Sequence, residues 1–270
     1  MKAKPKNHFI KIETWTPRFL GTAGLGQALL RMLESMDSGR WIPDRWNTVE
    51  PVRKPFSKDC EEEIINRWTK DQPPCSGKVW SDLMFLRKKP RALIQVHAQR
   101  WGRAELNWVW MDVEARPFST LDGPNRLKEI LKGFVNWSGG VYGTVFYSGQ
   151  AHKRTVQMTP LQRLDQAYWL NFFGQPYLDM FGRERVLNAP CYSVEEFEGR
   201  GVLLQAAPRF DSPEITNSDG LLIRLEEYLG TDAFAGRGYP QIPCRVPNFD
   251  LSETMPPARA LTANNLAGAM

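Results

Sequence analysis

Histidine is scarce in this chain, with three residues in 270. His8 lies near the amino terminus, His152 stands beside Lys153 and Arg154, and His97 alternates between Val96 and Ala98. None falls in a Ser/His/Asp or Cys/His pattern, so the usual signatures of proton transfer and nucleophilic attack do not form. Cysteine is nearly as sparse. Cys60, Cys75, Cys191 and Cys244 lie far apart and make no Cys-x-x-Cys pair. That spacing argues against a disulfide framework and against a zinc site, so packed thiols and no metal are expected. No apolar run approaches the roughly 18 uninterrupted residues of a membrane span. The lysines at positions 2, 4 and 6 are followed by no apolar stretch of the signal-peptide kind. A cytoplasmic protein with no membrane partner is expected.

What the chain does contain is enough apolar surface for a sizeable core, with 42% hydrophobic residues and 11% aromatics. Its net charge of +5 is unevenly spread. Residues 1–135 carry 24 Lys and Arg against 16 Asp and Glu, a balance of +8, and the remainder carries 11 against 14, a balance of −3. Such asymmetry speaks of partners: a basic half touching something acidic, or an acidic half touching something basic.

Residues 8–15 alternate as a strand does. Leu25, Leu29, Met32, Leu33 and Met36 share a helical face that ends before Gly39, and a loop is expected from Arg40 to Phe56. Ser57 suits the cap of a helix whose first turns hold Asp59, Glu61, Glu62 and Glu63, with Ile64 and Trp68 four apart. Segments 80–87, 92–99 and 104–113 read as an antiparallel meander. Pro124 opens a helix with Leu127, Ile130, Leu131, Phe134 and Val135 on one side, and a strand follows at 141–147. Thr159-Pro160-Leu161-Gln162 resembles a capping box, which predicts a helix burying Leu161, Leu164, Tyr168 and Phe172 and ending at Gly174. A hairpin over 191–197 and 201–207 and a helix over 219–229 complete the set. The expected fold is α+β: antiparallel sheet covered by helices in two closely packed halves, 1–152 and 153–251, with a poorly ordered tail over 252–270.

Three features invite chemistry. Gly21-Thr22-Ala23-Gly24-Leu25-Gly26 precedes a helix, but a loop rather than a second strand follows that helix. Glycines that let the chain turn explain it better than a dinucleotide, and no cofactor is expected. Carboxylate pairs leave no local signature, and Glu61-Glu62-Glu63 suits the positive end of a helix. The third feature is a basic hairpin, with Arg87, Lys88, Lys89, Arg91, Arg100 and Arg103 near Trp101, Trp108 and Trp110. Cations for phosphates and rings for bases are the parts of a single-stranded nucleic-acid groove, and the same residues suit a charged turn that keeps an edge soluble. Core packing is the default for the tryptophans, with interface anchoring the alternative.

The most distinctive stretch is the aromatic-dense, histidine-free block from Tyr168 to Gly182, followed by the hairpin. Its Phe173-Gly174-Gln175-Pro176-Tyr177 and Phe181-Gly182 segments, with Pro43-Asp44-Arg45-Trp46, Glu50-Pro51 and the Trp80 strand, resemble the immunity protein 52 family of bacterial polymorphic-toxin systems across residues 8–235. Members of that family are α+β proteins encoded beside secreted, nuclease-like toxins. The resemblance implies a non-enzymatic protein that binds a cognate toxin in the cytosol and blocks its active site or substrate access. It transfers no catalytic residue. An inhibitor of a nuclease complements a cationic surface, and only the second half of this chain has the matching sign. Glu195, Glu196 and Glu198, with Tyr177 and Asp179, are therefore the expected toxin-binding residues. Arg87, Lys88, Lys89, Arg91 and Arg103 are the expected contacts if nucleic acid is the partner.

Overall fold

The structure is a computed structural model that describes residues 8–70, 80–100, 104–149, 160–197, 199–217, 220–235 and 244–256. Ten strands of the described residues form one antiparallel sheet in the order β3-β2-β4-β5-β6-β1-β7-β8-β10-β9. They are β1 (Phe9–Thr16), β2 (Arg45–Asn47), β3 (Lys54–Pro55), β4 (Trp80–Arg87), β5 (Ala92–Gln99), β6 (Asn107–Glu114), β7 (Tyr142–Tyr147), β8 (Leu170–Gly174), β9 (Ser193–Phe197) and β10 (Gly201–Gln205). Among the described residues seven α-helices accompany them: α1 (Ala23–Ser35), α2 (Glu61–Thr69), α3 (Gly123–Ser138), α4 (Gln175–Phe181), α5 (Arg183–Leu187), α6 (Pro213–Thr216) and α7 (Gly220–Leu229). The fold is α+β, as the hydrophobic periods predict.

The first strand sits in the middle of the sheet, bonded to β6 on one side and β7 on the other. The sheet is thereby continuous between the two expected halves, and the residues proposed for their boundary lie outside those described. Ile10 and Ile12 face Val113 and Met111 on β6 and Tyr147 and Val145 on β7, forming the inner face. Helix α3 packs on β1, β6 and β7, and α2 packs on β4. Thr22 caps α1 by accepting a hydrogen bond from the Leu25 amide at 3.3 Å, and Leu25, Leu29, Leu30 and Leu33 are buried below it. Gly139 ends α3 in the left-handed region, at φ 68°, where a side chain is disfavoured.

Alternation sends the other residues of each strand to the outer face. Over β8 and β10 that face is roofed: Phe173 meets Tyr177 and Phe181 of α4 at 5.5 and 5.4 Å, and α5 packs on β9. Burying an aromatic such as Phe173 contributes roughly 1.5–3 kcal/mol. Along β1, β5 and β6 the outer face carries Trp15, Trp108 and Trp110, all half-buried.

Several expectations need correction. The helix expected to end at Gly174 does not form: 160–169 is irregular and Leu170–Gly174 is a strand whose five residues are all buried. Burial on both faces, between β7 and β10, outweighs the helical spacing, and a short continuous apolar run fits that outcome. Trp169, expected on that helix, stands before β8 and donates to the Ala207 carbonyl at 2.8 Å. The loop from Arg40 to Phe56 contains β2 and β3, too short for periodicity to reveal. Of the expected tail, Thr254 is tied to the sheet: it is fully buried and its carbonyl accepts from Asn107 Nδ2 at 2.7 Å, while residues 257–270 lie outside the described residues.

Candidate functional site

The basic hairpin comes apart into separate roles. Arg87 donates through Nη1 to the Ile42 carbonyl at 3.1 Å and to Asp44 Oδ1 at 3.4 Å, and through Nε to the Lys89 carbonyl at 3.1 Å. Asp44 Oδ2 accepts the Lys88 amide at 2.7 Å, so the Pro43-Asp44-Arg45-Trp46 motif fastens β2 to this turn. Arg100 is buried, donating to Ser81 Oγ at 2.7 Å and to the Trp68 carbonyl. Lys88, Lys89 and Arg91 remain exposed at the tip, and Arg103 lies outside the described residues.

The acidic residues are divided as well. Strand β9 turns Glu195 toward α3, where Lys132 and Lys128 pair with it, the latter at 3.5 Å. Burial raises the Glu195 carboxyl, but the two lysines outweigh it and hold the group below its ordinary value. Glu196 points to the opposite face and pairs with Arg183 at 2.7 Å. Asp179 is exposed and accepts from Gln175 Nε2 at 2.6 Å, and Glu198 lies outside the described residues. Tyr177 is no surface residue. Its side chain is 0% exposed, ringed by Tyr142, Phe173 and Phe181, and burial holds its hydroxyl well above the ordinary tyrosine value. The glycine-aromatic motif thus builds core, because Pro176 opens a helix that presses Tyr177 and Phe181 onto β8.

On the outer face His97 stacks on Trp108, with ring centroids 4.7 Å apart and planes 2° from parallel. Trp108 lies 6.1 Å from Trp15 and 6.2 Å from Trp110, and Lys11 sits 4.7 Å above Trp110. His97 Nδ1 is 3.0 Å from Asp82 Oδ1, but Ser81 belongs to the inner face, so these three residues assemble no nucleophile relay. Burial pushes the Asp112 carboxyl up to about 6, with Lys11 opposing the shift and the like charge of Glu13 adding to it.

A further site escaped the sequence reading. Between the end of α1 and the first turns of α3 lies a cleft of about 400 Å³, floored by Met32, Met36, Ile130 and Gly133. Asp37, Asp122 and Glu129 are the acids lining it. Asp37 and Ser38 both occupy the left-handed region, at φ 52° and 57°, a conformation costly outside glycine. Arg126 fixes that turn, with Nε 2.8 Å from Asp37 Oδ1 and Nη2 2.5 Å from Oδ2, and Nη1 donates to the Pro117 carbonyl at 2.9 Å. Asp37 in turn holds the guanidinium above its ordinary value. Beside the cleft, Leu121 is 96% exposed. The one signal in the sequence was an apolar Leu121 inside the polar turn before Pro124.

No family model matches the chain, and no curated protein matches it. A solved structure described as Pseudomonas aeruginosa T6SS protein PA0821 is similar, with a TM-score of 0.55 at 12% identity, covering 82% of this chain and 75% of that one. At that identity the likeness shows a shared fold. No described helix is long and apolar enough to cross a membrane.

Proposed function

We propose that this chain is a non-enzymatic immunity protein that binds and neutralises a cognate bacterial toxin, with a nuclease-like toxin of a type VI secretion system as the partner. The observation that carries the reading is the fold it shares, over most of both chains, with a protein described as belonging to that system. The glycine-aromatic and Pro43-Asp44-Arg45-Trp46 resemblance to an immunity family points the same way. Both motifs serve the scaffold, which suits a family defined by a rigid binding frame rather than by catalytic groups.

The test is neutralisation. Expression of the toxin encoded beside this gene should arrest growth and degrade nucleic acid, and co-expression of this chain should restore growth. Purified chain added at one equivalent should stop the nuclease in vitro. Continued cleavage at a several-fold excess of this chain would remove the proposal.

A further inference from the structure

We infer that the tip of the β4–β5 hairpin is a sequence-independent binding site for the phosphate backbone of nucleic acid. The inference goes beyond the immunity reading and does not depend on it. A basic run is often neutralised within the fold, as Arg87 is by Asp44. Its neighbours are not.

Five cations gather at this end of the sheet: Arg45 on β2, beside Leu86 in register, and Arg87, Lys88, Lys89 and Arg91 at the turn. Asp44 and Glu114 are the two acids bonded to the turn, so three positive charges stand in excess. Asp44 is taken up by the Arg87 guanidinium and by the Lys88 amide at 2.7 Å. Glu114 Oε2 accepts from the Arg91 amide, at 3.4 Å, rather than from its guanidinium. Arg45, Lys88, Lys89 and Arg91 form no ion pair with any described residue. The Arg91 guanidinium lies 5.9 Å over the Phe9 ring, a contact that leaves its charge intact.

The excess charge is carried on an ordered turn. Arg87 Nε donates to the Lys89 carbonyl at 3.1 Å, the Asp44 amide to the Leu86 carbonyl at 2.9 Å, and the Glu114 amide to the Arg91 carbonyl at 3.0 Å. A backbone tied on both flanks loses less entropy when its side chains engage a ligand.

Phosphate suits this patch better than an acidic protein does. Protein interfaces centre on aromatic anchors and are poor in lysine. Here Lys88, Lys89 and Arg91 are the exposed side chains, and the large exposed hydrophobe bonded to the turn is Ile42, at 36%. The half-buried tryptophans of the outer face begin beyond Asp112, which faces Leu93 between Trp110 and the tip. With those rings set back, contacts run to phosphates and base identity goes unread.

The test is fluorescence anisotropy of a labelled DNA duplex titrated with the full-length chain. With about three phosphates engaged, log K should fall against log salt with a slope of about −2.7, roughly a 40-fold loss between about 50 and 200 mM. A duplex of different sequence should bind within about twofold. Combining Lys88→Gln, Lys89→Gln and Arg91→Gln removes exposed side chains while the backbone bonds of the turn remain. Affinity should fall at least about tenfold and the slope should flatten toward zero. Combining Arg31→Gln, Arg200→Gln and Arg224→Gln removes the same charge from exposed sites outside the tip, and should leave affinity within about threefold. No binding by the parent at about 50 mM salt would overturn the site. Equal losses in the two triple variants would overturn it too, by assigning the binding to net charge. A labelled poly-glutamate bound as tightly as the duplex would replace nucleic acid with an acidic protein segment. Every measurement is made without the toxin, so failure here leaves the immunity reading standing.

Discussion

Around β8 and β10 the outer face of the sheet is roofed by α4 and α5, whereas across β4, β5, β6 and β1 the packed helices, α2 and α3, lie on the inner face. The residues follow suit. Phe173 and Tyr177 are almost wholly buried, but Trp15, Trp108 and Trp110 stay half-buried and stack on one another and on His97. Aromatic density therefore marks two different things in one sheet. On the outer face of the second half it marks core; on the outer face of the first it marks rings that cover each other, while the inner-face Phe85 is buried like Phe173.

Truncation should separate the two regions most sharply. Phe173→Ala should cost about 3–5 kcal/mol in urea unfolding, through lost transfer energy and the cavity left under α4. Trp108→Ala should cost about 1–2 kcal/mol, the scale of its ring contacts on a half-open face. Equal costs would mean that the outer face of the first half is as closely covered as that of the second.

A smaller effect comes from Asp112 on the same face. Its folded carboxyl titrates near 6, above the ordinary value, so the folded state binds a proton that the unfolded chain has released. Stability must fall as pH rises through the window between about 4 and 6, and the penalty is complete above it. Asp112→Asn should melt higher than the parent at pH 7.5, with the gain vanishing below about pH 4. A gain that persists in acid would point to packing instead. Smallest is Glu196→Gln at the other end of the sheet. Its exposed pair with Arg183 should contribute no more than about 0.5 kcal/mol.

Much of the scaffold was legible because period and punctuation agreed there. The limits of β4 and β5 match the alternating segments, α3 follows its apolar spacing from Pro124 to Gly139, and Ser57 does precede the acidic start of α2. Where burial acts on both faces, period fails, as Leu170–Gly174 shows. The site was less legible, because charge in sequence says nothing of internal pairing. Glu195, Glu196 and Arg87 are each held by an intramolecular partner, and Tyr177 belongs to the core. The α1–α3 cleft depends on a left-handed turn at Asp37 and on Arg126, 89 residues away, and no local pattern joins them.

The most direct test of the account is hydrogen exchange of the chain with and without the neighbouring toxin's nuclease domain, read peptide by peptide. The account predicts slowed exchange in one contiguous set of surface peptides once the nuclease domain is present at one equivalent. Exchange identical to that of the unbound chain at a several-fold excess of the nuclease domain would contradict it.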